Sequence, residues 1–151
     1  QGITAVQGEW DEGLKAEHRL TLRFFDAIEK TDATQTWKRG MLLTQLKHAL
    51  GKHAFEEENV VYPAMRDHGQ IEEADKLVHD HGYVKQYLHD LSEMPNDDSA
   101  WIAKVREFRA DIEAHIEQEE KELFPRLRAA LGAEGNKHVT AEMNKAGFAA
   151  A

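Results

Sequence analysis

The pattern His53, Glu57, Glu58, Tyr62, Pro63 returns in the second half of the chain as His115, Glu119, Glu120, Phe124, Pro125. Both copies read H-x3-E-E-x3-[YF]-P. A weaker match precedes each, Glu17-His18 before the first and Asp80-His81 before the second. His18 lies 35 residues before His53, and His81 lies 34 before His115. The chain therefore reads as two copies of one helical hairpin. A bundle built from two such copies carries an approximate two-fold axis through its core, and this limits the folds open to it.

Hydrophobic periodicity supports that reading. Turn-forming residues cluster at Thr31–Thr34, Arg66–Gly69, Met94–Asp98 and Gly132–Asn136. The intervening stretches predict helices over 9–31, 35–66, 70–93 and 98–131, each with apolar residues stepping by three and four. The expected fold is all-α, an antiparallel up-down four-helix bundle over 9–131 with a short tail helix in 132–151. Leu22, Phe25, Leu46, Leu50, Leu77, Val84, Phe108 and Ile112 are expected to form its apolar sleeve. Trp10, Trp37 and Trp101 read as packing residues at helix starts. Pro63 and Pro125 are expected to bend or weaken their helices.

Every apolar stripe is interrupted at its middle by ionisable residues: His18, then His53 and Glu57, then His81, then His115 and Glu119. A His and a Glu four residues apart share one helix face and point at the same place. Four imidazoles and two carboxylates in a dry core cost several kcal/mol per uncompensated charge, and a cation removes that cost. A single octahedral ion would consume all six ligands. Two ions fit better: His18 and His53 hold one, His81 and His115 the other, with Glu57 and Glu119 bridging and an oxo or hydroxo group as the remaining shared ligand. Imidazole and carboxylate suit iron or manganese, with zinc less favoured. The chain has no cysteine, so thiolate zinc sites, Fe–S clusters and disulfides are excluded.

The remaining residues are read against this centre. Glu56, Glu58, Glu117, Glu120 and Glu122 flank it as an acidic, solvated face, and Glu58 and Glu120 are candidates to hold an imidazole N–H. His79 lies two residues from His81, about 200° around the helix, which removes it as a ligand. His48, His68, His89 and His138 read as surface residues. Tyr62 and Phe124, five residues past each Glu, are expected to pack outside the plane of the metals.

The four-helix repeat H…H-x3-E…H…H-x3-E resembles the hemerythrin family in its HHE cation-binding branch, over roughly residues 10–130. The resemblance implies a non-haem centre of two Fe ions that binds or senses O2, NO or peroxide, with redox cycling as one outcome. Oxygen-carrying members place a fifth histidine one turn before the third ligand, where this chain has Leu77. The four-histidine set is similar to di-iron proteins that repair iron centres under nitrosative stress, though the cysteine-containing domain of those proteins has no counterpart here. Oxygen or iron storage or carriage is the alternative. Ferritin-like proteins use E-x2-H instead, and positions 15, 50, 78 and 112 hold Lys, Leu, Val and Ile.

Charge narrows the partners. With 19 Lys+Arg against 28 Asp+Glu the net charge is −9, and no basic stripe suits nucleic acid. No apolar run approaches the roughly 20 residues of a membrane span, and no signal-like segment opens the chain, so the expectation is a cytoplasmic protein with no membrane partner. If the centre is a sensor, the acidic surface and the segment after Asn136 would face a protein partner.

Overall fold

A computed structural model describes residues 8–150 of the chain. The reading of the N-terminus as free of a signal segment falls mostly before Gly8, outside the described residues. Helix α1 (Trp10–Glu29) opens on a capping box: Glu9 caps the first turn, and the Glu12 carboxylate accepts from the Glu9 N–H at 3.2 Å. Helix α2 (Thr36–Glu56) continues through a π-helical turn, Glu57–Val61, into α3 (Tyr62–Asp67). After Gly69, whose φ of 85° only glycine takes easily, comes α4 (Ile71–Glu93). Helix α5 (Ser99–Gln118) starts at an Asp98 cap, passes through a second π turn at Glu119–Leu123, and continues as α6 (Phe124–Ala150). Short connections make neighbouring helices antiparallel, and the result is an all-α four-helix bundle with a C-terminal helix folded back on one end.

The two π turns are where the helices depart from expectation. Proline has no N–H to donate, and its ring crowds the carbonyl four residues back. The ladder around Pro63 and Pro125 widens instead of breaking: Tyr62 N–H donates to the Glu57 carbonyl, and Phe124 N–H to that of Glu119, each five residues back. Both prolines weaken the α ladder without ending the helix.

The core lies in two apolar clusters on either side of the ionisable layer. One gathers Trp10, Leu14, Tyr62, Met65, Leu77, Phe124 and Leu127 with Val139 and Met143 of the C-terminal helix. The other gathers Phe25, Ile28, Leu46, Leu50, Trp101, Phe108 and Ile112. Leu22 and Val84 are half-buried on the edge of the second, so the sleeve is narrower there than expected. Trp37 is 77% exposed and is no packing residue. It lies about 200° around α2 from the buried Arg39, off the stripe.

The long final helix kinks at Gly132, with φ 69° and ψ −177°, a region nearly exclusive to glycine. Asn136 seals the kink, donating to the Gly132 and Arg128 carbonyls at 2.7 and 3.0 Å and accepting from the Trp10 indole N–H at 2.9 Å. Asn136→Ala leaves the buried indole N–H without its acceptor and should cost about 2 kcal/mol. In thermal unfolding that is a fall of about 4–8 °C, while Lys137→Ala, at an exposed neighbour, should leave Tm unchanged. An equal Tm for both variants would show that Asn136 does not hold the kink.

Candidate metal centre

The structure brings the six candidate ligands together between the two apolar clusters. Glu57 and Glu119 are completely buried, and His18, His53 and His81 are 3, 7 and 6% exposed. Their positions follow from helix geometry, one turn separating His53 from Glu57 and His115 from Glu119. The Glu57 carboxylate reaches His53 Nε2 with Oε2 at 3.0 Å and His81 Nε2 with Oε1 at 3.1 Å. Glu119 mirrors it, with Oε1 3.0 Å from His18 Nε2 and Oε2 3.1 Å from His115 Nε2. Each carboxylate thus joins a histidine of its own hairpin to one of the other hairpin. Donor atoms of His18, His53, Glu57 and Glu119 lie within 4.8 Å of one another, as do those of Glu57, His81 and His115.

Each imidazole turns Nε2 inward, and three of the four hydrogen-bond an outer carboxylate through Nδ1. His18 Nδ1 meets Glu120 at 2.6 Å, His81 Nδ1 meets Glu58 at 2.6 Å, and His53 Nδ1 meets Glu17 at 2.8 Å. Asp80 lies 3.7 Å from His115 Nδ1. A carboxylate on Nδ1–H fixes the tautomer that leaves Nε2 free to bind a metal. Glu58 and Glu120 act across hairpins, Glu17 and Asp80 within them. The sequence signal for the latter two was the acidic residue before His18 and before His81, repeated in both halves.

The donor set fits a cation on an observation of its own. His53 Nε2, Glu57 Oε2 and Glu119 Oε2 are buried with no hydrogen-bond partner. His53 Nε2 and Glu57 Oε2 are 3.0 Å apart without hydrogen-bond alignment, as two ligands converging on a shared ion would be. Native interiors leave few buried polar atoms unpaired, and such a group of them calls for an ion or water.

Without a cation the histidines take up the balance. Burial opposes charge on His53, yet the Glu57 carboxylate and the Glu17 hydrogen bond overcome it and hold its pKa well above the usual imidazole range. Burial likewise opposes charge on His81, where Glu57 and Glu58 raise the pKa, and on His115, where Glu119 raises it to about 9. Glu57 resists its burial through the facing His53 and lies well below the carboxylate range. Glu17 is likewise held down to about 2 against its burial, first through its bond to His53. Glu56 differs from the expected solvated face: it is 2% exposed. Burial and the neighbouring Glu17 push it up to about 7, while Lys52 at 2.6 Å pulls it back.

Tyr62 also departs from expectation. Its hydroxyl donates to Glu57 Oε1 at 2.8 Å and lies 3.0 Å from His81 Nε2. In a regular α-helix a residue five on sits about 140° away; the π turn carries it onto the ligand face. Phe124 takes the matching place and stacks on His18, with ring centroids 6.1 Å apart. His48, His68, His79, His89 and His138 are all exposed.

A cavity of about 250 Å³ opens between α2 and α4, lined by Leu50, Gly51, Ala54, Val84, Leu88 and Ile112 and reaching His53, His81 and His115. Its walls are mostly apolar, with Lys47 and Lys85 also on the lining. Among the described residues no helix is long and apolar enough to cross a membrane.

The comparisons agree with this geometry. The family described as hemerythrin HHE cation binding domain matches residues 11–127. An uncharacterized hemerythrin-like protein of Schizosaccharomyces pombe is 30% identical over 133 residues, covering 85% of this chain and 64% of that protein. The chain thus spans somewhat under two thirds of that relative's length. No solved structure matches it significantly. Two hairpins carrying paired His and Glu side chains that could hold a cation, and a family match that spans nearly the whole bundle, place this chain in the hemerythrin family as an HHE cation-binding domain.

Proposed function

We propose that the chain is a non-haem di-iron protein that binds O2, NO or peroxide and senses or redox-cycles with them. The observation that carries the proposal is the set of inward-facing, unpaired donor atoms on His53, Glu57 and Glu119. His18 and His53 would hold one ion, His81 and His115 the other, with Glu57 and Glu119 shared. Nitrogen and oxygen donors without sulfur suit iron or manganese. When bound, such ions would supply electrons to a small oxidising ligand.

The chain's own residues supply the rest. Glu17, Glu58 and Glu120 would hold His53, His81 and His18 in the ligating tautomer. The cavity beside Gly51 and Val84, with its mostly apolar lining, would admit a small uncharged molecule to the inner imidazoles. The acidic exterior leaves room for a protein partner if the output is a signal.

The test is elemental analysis of anaerobically purified protein, with optical spectra before and after O2 or NO. Two irons per chain and a spectrum that changes with the gas are expected; one metal per chain, or zinc alone, would overturn the di-iron reading. Gly51→Leu sharpens it. A Cβ at Gly51 meets nothing within 4 Å, so a larger side chain starts without a clash and gains helix propensity over glycine. Iron content should hold while the gas reacts about tenfold more slowly, a barrier increase of about 1.4 kcal/mol. An unchanged rate would show that the ligand enters elsewhere.

A further inference from the structure

The two hairpins repeat each other closely, and one difference between them falls inside the centre. At the end of the first π turn stands Tyr62; at the end of the second, Phe124. Both are fully buried. On the His18 side four residues bring donor atoms within mutual reach, while on the His81 side three do: Glu57, His81 and His115. Leu77, one turn before His81, is apolar and buried and offers none. The hydroxyl of Tyr62 stands where that side is short.

Its spacing fits that of a ligand as well as that of a hydrogen-bonded hydroxyl. Tyr62 Oη, Glu57 Oε1 and His81 Nε2 form a triangle with sides of 2.8, 3.0 and 3.1 Å. A six-coordinate ion with bonds of about 2.1 Å holds adjacent ligands about 3.0 Å apart. The three atoms therefore describe one face of such a coordination shell. The phenol is also pinned: the π-turn bond from Tyr62 N–H to the Glu57 carbonyl fixes its backbone to that of the ligand it touches.

We propose that Tyr62 is itself a metal ligand at the His81–His115 position, an inference that rests on the two-metal reading above. When the ion enters, the phenolic O–H bond breaks, a metal–oxygen bond forms at Oη, and the proton leaves for the buffer. The His18–His53 position has Phe124 in that place and keeps nitrogen and carboxylate donors only. The two positions are then chemically unequal, with a hard anionic oxygen favouring the oxidised ion on one side.

The test loads the metal-free chain with ferrous iron, oxidises it in air, and measures iron content, visible absorption and resonance Raman scattering on the same sample. A phenolate-to-ferric charge-transfer band with enhanced tyrosine ring vibrations is expected. Tyr62→Phe should lose the band completely, while Tyr83→Phe and Tyr87→Phe, which alter the other two tyrosines, should keep it. Phe124→Tyr should strengthen it by supplying a second phenolate. Zinc loading gives an independent reading should Tyr62→Phe fail to fold: the near-ultraviolet difference spectrum of the wild-type chain should show one tyrosinate of the three. Two irons bound with no such band, or a band that survives Tyr62→Phe, would overturn the ligand assignment and leave the two-metal reading standing. No metal uptake at all would overturn both.

Discussion

Glu57→Gln is expected to empty both metal positions, not one. The carboxylate is completely buried and divides its oxygens between the two groups, Oε2 toward His53 and Oε1 toward His81. Glutamine keeps the shape but loses the charge, and one of its two ends becomes an N–H donor aimed at an imidazole that must itself ligate. Removing a hydrogen-bonding partner outside a metal's ligands typically costs 10–100-fold in affinity, so loss of a shared anionic ligand should exceed about 100-fold at each position. A competition titration with zinc against a chromophoric chelator reads both affinities. Glu58→Gln is the companion variant: it touches only His81 Nδ1, so it should weaken one position by about 10–100-fold and spare the other. Two tightly bound ions in Glu57→Gln would mean that Glu57 is not shared.

Which parts of this centre could be read from the sequence follows from which contacts are local. His53 with Glu57, and His115 with Glu119, are pairs within a single helix, so spacing alone displays them, and the duplication ties His18 and His81 to the same layer. Glu17 on His53 and Asp80 on His115 are contacts between helices. Their repeated position before a histidine was visible, but their direction depends on how the hairpin packs. Tyr62 escapes α periodicity because its segment winds as a π turn, and Pro63 beside it is the local signal that the ladder does not stay regular. A charged Glu56 reads as solvated from residue type alone, whereas Lys52 at 2.6 Å makes its burial tolerable. Trp37 shows the converse error, an aromatic assigned to the core by residue type although it falls off the stripe.

Adding metal to the metal-free chain should raise Tm by about 10–20 °C. Metal-free, the ionisable layer separates two apolar clusters, and its pairing is incomplete: three of its donor atoms have no hydrogen-bond partner. An ion that binds the folded chain and not the unfolded one stabilises it by about 2.7 kcal/mol per site at a hundredfold excess over Kd, or about 5 kcal/mol for two. For a chain of this size each kcal/mol is worth about 2–4 °C. Thermal unfolding with metal, and again after a chelator at matched ionic strength, measures the difference; a Tm indifferent to the chelator would mean that the layer is structural. A second variant separates these roles. Replacing His18, His53, His81, His115, Glu57 and Glu119 together with leucine and methionine removes the buried charges and their orphaned atoms. Apolar replacement of buried ionic groups often gains about 1–4 kcal/mol, so this chain should melt above the metal-free wild type and ignore added metal. The wild-type layer would then be the less stable solution without a cation, and the folded bundle would carry that instability for the sake of the ions proposed for it.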